Sequence, residues 1–314
     1  MKIVILNNCW LEEKHLNQLK KDAEVIVYNS TTPEQIIERL DSAEIAVLDG
    51  FHCRLTNQIL NQLPKLRLIA LNSTGYDMLD VAHAAELGIK VCNIPNYASI
   101  SVAEHTFALI LSLTRRIPFS NIQSHNHGLM LEKTTSPEFK GVDLAGKSIG
   151  LVGVGQIGSK VAQIALGFGM DVFYYDLVES SQANLERISD LDYLLTRCDF
   201  VSLHLPLNKD TKYILGSHEL NLMKKGSYLI NTSRGQLIKG EALIQALQTD
   251  RLAGVALDVL DPECQNLDEL LQLSNVIITP HSAWFTQEAL QRLADSLTQN
   301  ILNFIYNKPT NLVN

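Results

Sequence analysis

The chain has 314 residues, 46% of them hydrophobic, with 26 basic and 34 acidic residues and a net charge of −8. That length allows about two domains with a large core, and the acidic balance disfavours a nucleic-acid partner, which requires a basic face. No apolar run reaches the roughly 18–20 residues of a membrane span, so no membrane partner is expected. Five scattered cysteines form no CxxC pair, which argues against a disulfide framework or a Cys-based zinc site and for a reducing, cytoplasmic setting with no metal.

The N-terminal run Met1–Leu6 breaks at Asn7-Asn8 and reads as a first strand rather than a signal peptide. Further β-rich runs follow at Glu24–Tyr28, Ile45–Leu48, Leu66–Leu71 and Ile89–Asn93, with amphipathic stretches such as Leu11–Lys20 and Thr32–Leu40 between them. Thr32-Pro33 supplies an N-cap and a proline at the first helical position. Strands alternating with helices imply a parallel sheet covered on both faces. Ser101-Val102-Ala103-Glu104 has the spacing of a capping box and predicts the start of a long apolar helix, with a domain crossing near 98–100. Residues 117–146 are polar and read as an irregular surface arm or partner contact.

A second alternating series begins at Lys147. Its predicted strands are Ser148–Val152, Asp171–Tyr175, Phe200–Leu205, Ser227–Asn231, Leu252–Leu257 and Val276–Thr279, and Gln287–Tyr306 reads as a terminal amphipathic helix. A terminal helix returning to the first series would make that domain discontinuous. The expected division is 1–99 with 286–314 against 100–285.

Leu151-Val152-Gly153-Val154-Gly155-Gln156-Ile157-Gly158 contains GxGxxG between a strand and a helix, and the next strand ends in Asp176, 18 residues after Gly158. In that context the pattern is the dinucleotide-binding fingerprint. Gly153 permits the tight turn, Gly155 lets the backbone approach a pyrophosphate, and Gly158 lets helix and strand pack closely. The helix N-terminus offers N–H groups and partial positive charge. Asp176 suits the ribose hydroxyls, and Leu177-Val178-Glu179 supplies no arginine for a 2′-phosphate, so NAD is expected in preference to NADP. Because the fingerprint starts halfway along the chain, a separate domain precedes the cofactor domain.

Three residues follow later strands of this series: Arg234 after Ser227–Asn231, Glu263 five residues past Asp258, and His281 after Thr279-Pro280. Singly, each also suits a bland role as a surface cation, a solvated loop acid or a polar strand end. Together they lie on the edge where open α/β sheets bind ligands. A guanidinium binds a carboxylate and polarises the adjacent carbonyl. A histidine exchanges the hydroxyl proton, and a carboxylate on its second nitrogen fixes the tautomer.

The sequence resembles the D-isomer-specific 2-hydroxyacid dehydrogenase family nearly end to end. The matching segments are Gly153–Gly158 with Asp176, the run Cys198–Leu207, Asn231-Thr232-Ser233-Arg234-Gly235, Asp258 with Glu263, Thr279-Pro280-His281, Asn72-Ser73-Thr74-Gly75-Tyr76-Asp77 and Ser101–His105. The resemblance implies two Rossmann-like, doubly wound parallel-sheet domains, the substrate domain discontinuous and flavodoxin-like, with the active site in the cleft between them. It implies catalysis by Arg234, Glu263 and His281, and cofactor contacts from Gly153, Gly155, Gln156, Ile157, Gly158, Asp176, Pro206, Thr211, Thr232, Ser233, Arg234, Asp258 and His281. Substrate contacts are expected from Ser73, Thr74, Gly75, Arg234 and Trp284, with a loop near His52. It further implies a homodimer through the NAD-binding domain. The expected substrate is a small 2-oxo or 2-hydroxy acid. His281-Ser282-Ala283-Trp284 resembles the glycerate dehydrogenase branch, so hydroxypyruvate or glyoxylate is expected first, with D-lactate-type reduction or an NAD-sensing corepressor-like role as alternatives. One departure is Cys264, where the family often has proline.

Overall fold

The computed structural model describes residues 1–7, 9–49, 53–127, 135–180, 182 and 184–314; His52 and Thr134 lie outside the described residues. The chain divides into two compact units, Met1–Ala98 with Phe285–Asn314, and Ser99–Trp284.

The first unit is built on a five-stranded parallel sheet of β1 (Lys2–Ile5), β2 (Glu24–Val27), β3 (Ile45–Leu48), β4 (Leu68–Leu71) and β5 (Lys90–Cys92), in the order β2-β1-β3-β4-β5. This is the flavodoxin-like order, as expected. β3 and β4 are buried along their whole length, which is why they read as continuous apolar runs rather than alternating ones. The terminal helix Gln287–Ile305 belongs to this unit. Thr286 caps it by accepting the Ala289 N–H at 3.1 Å, and Leu293, Leu297 and Ile301 are buried along one stripe. Its buried Asn300 donates to the carbonyl of Asn93 at 2.9 Å, tying the helix to the end of β5.

The second unit carries a seven-stranded sheet of β6 (Ser148–Val152), β7 (Asp171–Tyr175), β8 (Glu186–Arg187), β9 (Phe200–Leu203), β10 (Ser227–Asn231), β11 (Leu252–Leu257) and β12 (Val276–Ile278). The order β8-β7-β6-β9-β10-β11-β12 reverses direction between β6 and β9. That reversal is the topological switch point where doubly wound sheets open a crevice. Both units therefore have the doubly wound parallel architecture that the sequence predicts. The two-residue β8 was not predicted; it is too short and too polar to carry a periodic signal.

Two local expectations need correction. Helix Ser99–Thr114 begins two residues before Ser101, and Ser101 is already buried inside its first turn, so the Ser101–Glu104 spacing does not mark its start. Residues Ile117–His127, expected to be irregular, are helical. Arg116 adopts a left-handed φ of 51° that ends the preceding helix, and Pro118 falls in the first turn of the next, where a proline costs no hydrogen bond. Phe119 then packs on Phe139 with ring centroids 5.4 Å apart.

Candidate active site

The loop between β6 and helix Gln156–Gly167 has the geometry that its glycines foretell. Gly153 has φ +97°, and a Cβ there would lie 2.7 Å from the carbonyl oxygen of His204. A Cβ on Gly158 would lie 2.2 Å from the carbonyl of Gly153, so only glycine lets this helix approach its strand. Gly155, the residue before the helix, is different: nothing lies within 4 Å of its missing Cβ. The backbone there faces open space at the N-terminus of a twelve-residue helix, which is what a pyrophosphate needs. The residues present therefore fit an NAD pyrophosphate. Gln156 and Ile157 form the first helical turn, and the Ser159 hydroxyl closes the loop on the carbonyl of Val154 at 2.7 Å.

Asp176 follows β7 directly. One carboxylate oxygen accepts the N–H of Val154 from the glycine loop at 2.8 Å, and the other accepts the N–H of Val178 at 3.0 Å. The acid is thus fixed beside the phosphate loop. Leu177 and Val178 beyond it are 88% and 72% exposed, an apolar turn left open at the adenosine end. One expectation here is incomplete. No arginine stands in the three residues after Asp176, but pairing of β7 with β8 sets Arg187 level with Tyr174. Its Nη2 donates to the carbonyls of Asp176 at 3.0 Å and Leu177 at 3.2 Å.

Under the loop, the His204 ring bonds the Ser202 hydroxyl through Nε2 at 2.9 Å, while its Nδ1 is buried with no partner. Burial pushes its pKa down to about 3, so His204 stays neutral near pH 7 and is unsuited to proton transfer. Pro206 and Thr211 belong to the next loop. The Thr211 hydroxyl donates to the Pro206 carbonyl at 2.7 Å and accepts the Asn208 N–H at 2.9 Å, so it braces the loop.

Arg234, Glu263 and His281 follow β10, β11 and β12, three neighbouring strands. Asn231 shapes the turn before Arg234: its side chain accepts the Ser233 N–H at 3.0 Å and donates to the Arg234 carbonyl at 2.8 Å. The hydroxyl of Ser233 is spent on the carbonyl of Leu203 at 2.7 Å, and Thr232 meets Thr106 at 3.1 Å. A Cβ on Gly235 would sit 2.0 Å from the carbonyl carbon of Leu260. The Arg234 turn is therefore locked against the loop that leads to Glu263.

His281 adopts a left-handed φ of 54°. Asp258, 1% exposed, holds that turn. Its carbonyl accepts the His281 N–H at 2.8 Å, and its carboxylate accepts the N–H groups of Ser282 and Ala283, each at 2.9 Å, with a short bond from the Thr279 hydroxyl. The ring of His105 supports the same acid, 3.1 Å from the Thr279 oxygen and 3.6 Å from the carboxylate. The sequence marks His105 only as part of the Ser101–His105 helix start; its contact with Thr279 lies 174 positions away and carries no local signal.

The Glu263 carboxylate pairs with Lys212, at 3.1 Å, and accepts from the hydroxyl of Tyr213, also at 3.1 Å. Tyr213 has φ +56° and also reaches Asp261 at 3.0 Å. The Lys212 hydrogen bond, aided by Tyr213, holds the Glu263 carboxyl below its ordinary range. Desolvation and the two flanking carboxylates push the Tyr213 phenol up. Lys212 and Tyr213 carry no motif, which is why the sequence did not reveal them.

In the first unit, the loop after β4 turns its hydroxyls inward. Ser73 donates to the carbonyl of Gly75 and Thr74 to that of Ile94, both at 2.7 Å. The N–H groups of Thr74 and Gly75 donate to no carbonyl among the described residues, leaving them available to an anion. Trp284 is half-buried at the end of the second unit.

Residues 107–283 match the model of the D-isomer specific 2-hydroxyacid dehydrogenase, NAD binding domain. A glycerate dehydrogenase of Methylorubrum extorquens is 39% identical over 291 residues, 91% of this chain and 90% of that protein. A glyoxylate reductase of Thermococcus litoralis is 38% identical over 275 residues, 83% and 81% of the two chains. Among solved structures, an acyclic imino acid reductase in complex with NADPH and D-Arg superposes with a TM-score of 0.92 at 32% identity, covering 100% of both chains. The fingerprint loop, the acid beside it and this full-length similarity lead to one conclusion: the chain belongs to the NAD-binding D-isomer specific 2-hydroxyacid dehydrogenase family and is an oxidoreductase.

Proposed function

We propose that the protein is an NADH-dependent reductase of small 2-oxo acids, hydroxypyruvate or glyoxylate first, working reversibly on the matching 2-hydroxy acids. The observation that carries this reading is the placement of Arg234, Glu263 and His281 after three neighbouring strands of the sheet that also bears the dinucleotide loop. The similarity to proteins named glycerate dehydrogenase and glyoxylate reductase supports the choice of substrate.

In this reading Arg234 grips the substrate carboxylate through parallel N–H bonds and polarises the neighbouring carbonyl. The imidazole of His281 gives its proton to the carbonyl oxygen as the alcohol forms and recovers it in the reverse direction. Asp258 keeps that ring in place by bonding the turn on which it stands. Glu263 serves His281 after leaving Lys212 and Tyr213. The N–H groups of Thr74 and Gly75 take a carboxylate by the same logic as an anion-binding nest. NADH, when bound, supplies the hydride.

The test is a panel of hydroxypyruvate, glyoxylate, pyruvate, 2-oxoisocaproate and bulkier 2-oxo acids with NADH, compared by kcat/KM. Failure on every member removes the reading. Highest efficiency on pyruvate moves the substrate to the lactate class. His281→Ala should abolish turnover and leave NADH binding nearly intact; equal loss of both would assign His281 a structural role.

A further inference from the structure

We propose that Arg187 gives the cofactor site a contact for a 2′-phosphate, so that this NADH-preferring protein also binds NADPH. The observation is positional. Asp176 is the acid that the fingerprint assigns to the ribose hydroxyls, and the Arg187 guanidinium bonds the backbone of that same residue and of the next, at 3.0 and 3.2 Å. Both contacts use Nη2 and both acceptors are neutral carbonyls. Among the described residues, Nη1 and Nε of Arg187 have no partner and no carboxylate pairs with this side chain. Arg187 is exposed and stands on the edge strand of the sheet.

A phosphate monoester on the ribose carries between one and two negative charges near neutral pH and is a stronger acceptor than a peptide carbonyl. The planar fork of a guanidinium matches two of its oxygens at once. Arg187 therefore has a neutral pair of acceptors to exchange for a charged one at the same ribose. The opposing group is Asp176 itself. Its carboxylate is held by the N–H groups of Val154 and Val178, so it cannot turn aside without breaking both bonds. A fixed acid keeps NADH preferred, because it repels the added phosphate and accepts from free hydroxyls. Arg187 offsets that repulsion, and the balance of the two sets the ratio between cofactors. The apolar turn of Leu177 and Val178, exposed next to them, offers no charge to either side.

The test is binding of NADH, NADPH, 5′-AMP and 2′,5′-ADP to the whole protein without substrate, by cofactor fluorescence and calorimetry. The wild-type chain should bind NADPH, more weakly than NADH. Arg187→Met should weaken NADPH and 2′,5′-ADP by about tenfold, the loss of one good charged contact, and leave NADH and 5′-AMP within about twofold. Arg187→Lys should recover part of the difference. The wild-type preference for 2′,5′-ADP over its Arg187→Met value should shrink as salt is raised. The idea fails if NADPH and 2′,5′-ADP do not bind the wild-type chain, or if Arg187→Met leaves their affinity unchanged. It also fails if Arg187→Met weakens all four ligands equally, since Arg187 would then only brace the Asp176 turn.

Discussion

The carbonyl oxygen of Asp258 accepts the backbone N–H of His281 at 2.8 Å. The same residue's carboxylate accepts from Ser282 and Ala283, so one buried acid binds three consecutive N–H groups of the His281 turn. A left-handed residue that is not glycine costs roughly 1–2 kcal/mol, and these charge-assisted bonds offset that cost.

Asp258→Asn tests this arrangement. An amide nitrogen would face N–H and hydroxyl donors, and one or two charged bonds of about 1.5–3 kcal/mol each would be lost. Unfolding by urea should show a loss of about 2–4 kcal/mol. With the His281 turn released, kcat should fall by about 100-fold, the cost of a displacement near 1 Å at a reacting group. Stability lost with turnover retained would leave Asp258 a purely structural role.

Gly155 and Gly158 should respond differently to the same substitution. A Cβ on Gly158 meets the carbonyl of Gly153 at 2.2 Å, so Gly158→Ala must shift backbone and should lower thermal stability as well as cofactor affinity. Gly155→Ala meets nothing within 4 Å. Its fold should be untouched, while NADH affinity falls by about tenfold or more because the methyl occupies the approach of the pyrophosphate. Melting curves paired with NADH titrations separate the two cases. A stable Gly155→Ala that binds NADH normally would remove the pyrophosphate from this loop.

Much of this was legible in the sequence because it is local. The glycine fingerprint lies within six residues, and its acid stands directly after the next strand. Apolar runs marked the strands because parallel strands are buried on both faces. What escaped depends on chain segments brought together by the sheet. Arg187 reaches Asp176 through a two-residue strand with no periodicity to detect. Glu263 meets Lys212 and Tyr213 across 51 and 50 positions of sequence. The polarity of residues 117–127 hid a helix whose proline stands where helices tolerate one.

The Lys212–Glu263 pair yields a titration. Lys212 is the largest influence holding the Glu263 carboxyl low, followed by Tyr213. Lys212→Met should therefore move the Glu263 midpoint upward, and Tyr213→Phe should move it in the same direction, both read by carbon NMR of the labelled carboxyl. Because the carboxyl is depressed in the folded chain, its small contribution to stability is present above the unfolded pKa and fades as pH falls through the folded one. The pair is exposed, so melting temperature should barely change. An unmoved midpoint in both variants would show that Glu263 sits elsewhere in solution.

His204 should make the fold acid-sensitive in a defined window. Its ordinary value of 6.5 falls to about 3 on burial, so the folded chain leaves the ring neutral while the unfolded chain protonates it. Above pH 6.5 both states are neutral and stability is independent of this group. Below it the unfolded state binds one more proton, and stability falls by up to about 1.4 kcal/mol per pH unit until the folded value is reached. His204→Gln removes the titration. Plotted as urea unfolding free energy against pH between 6 and 4, its slope should be shallower than wild type by about one proton. Parallel slopes would mean that the His204 ring takes up its proton in the folded chain, and the buried, unpartnered Nδ1 would then have water beside it in solution.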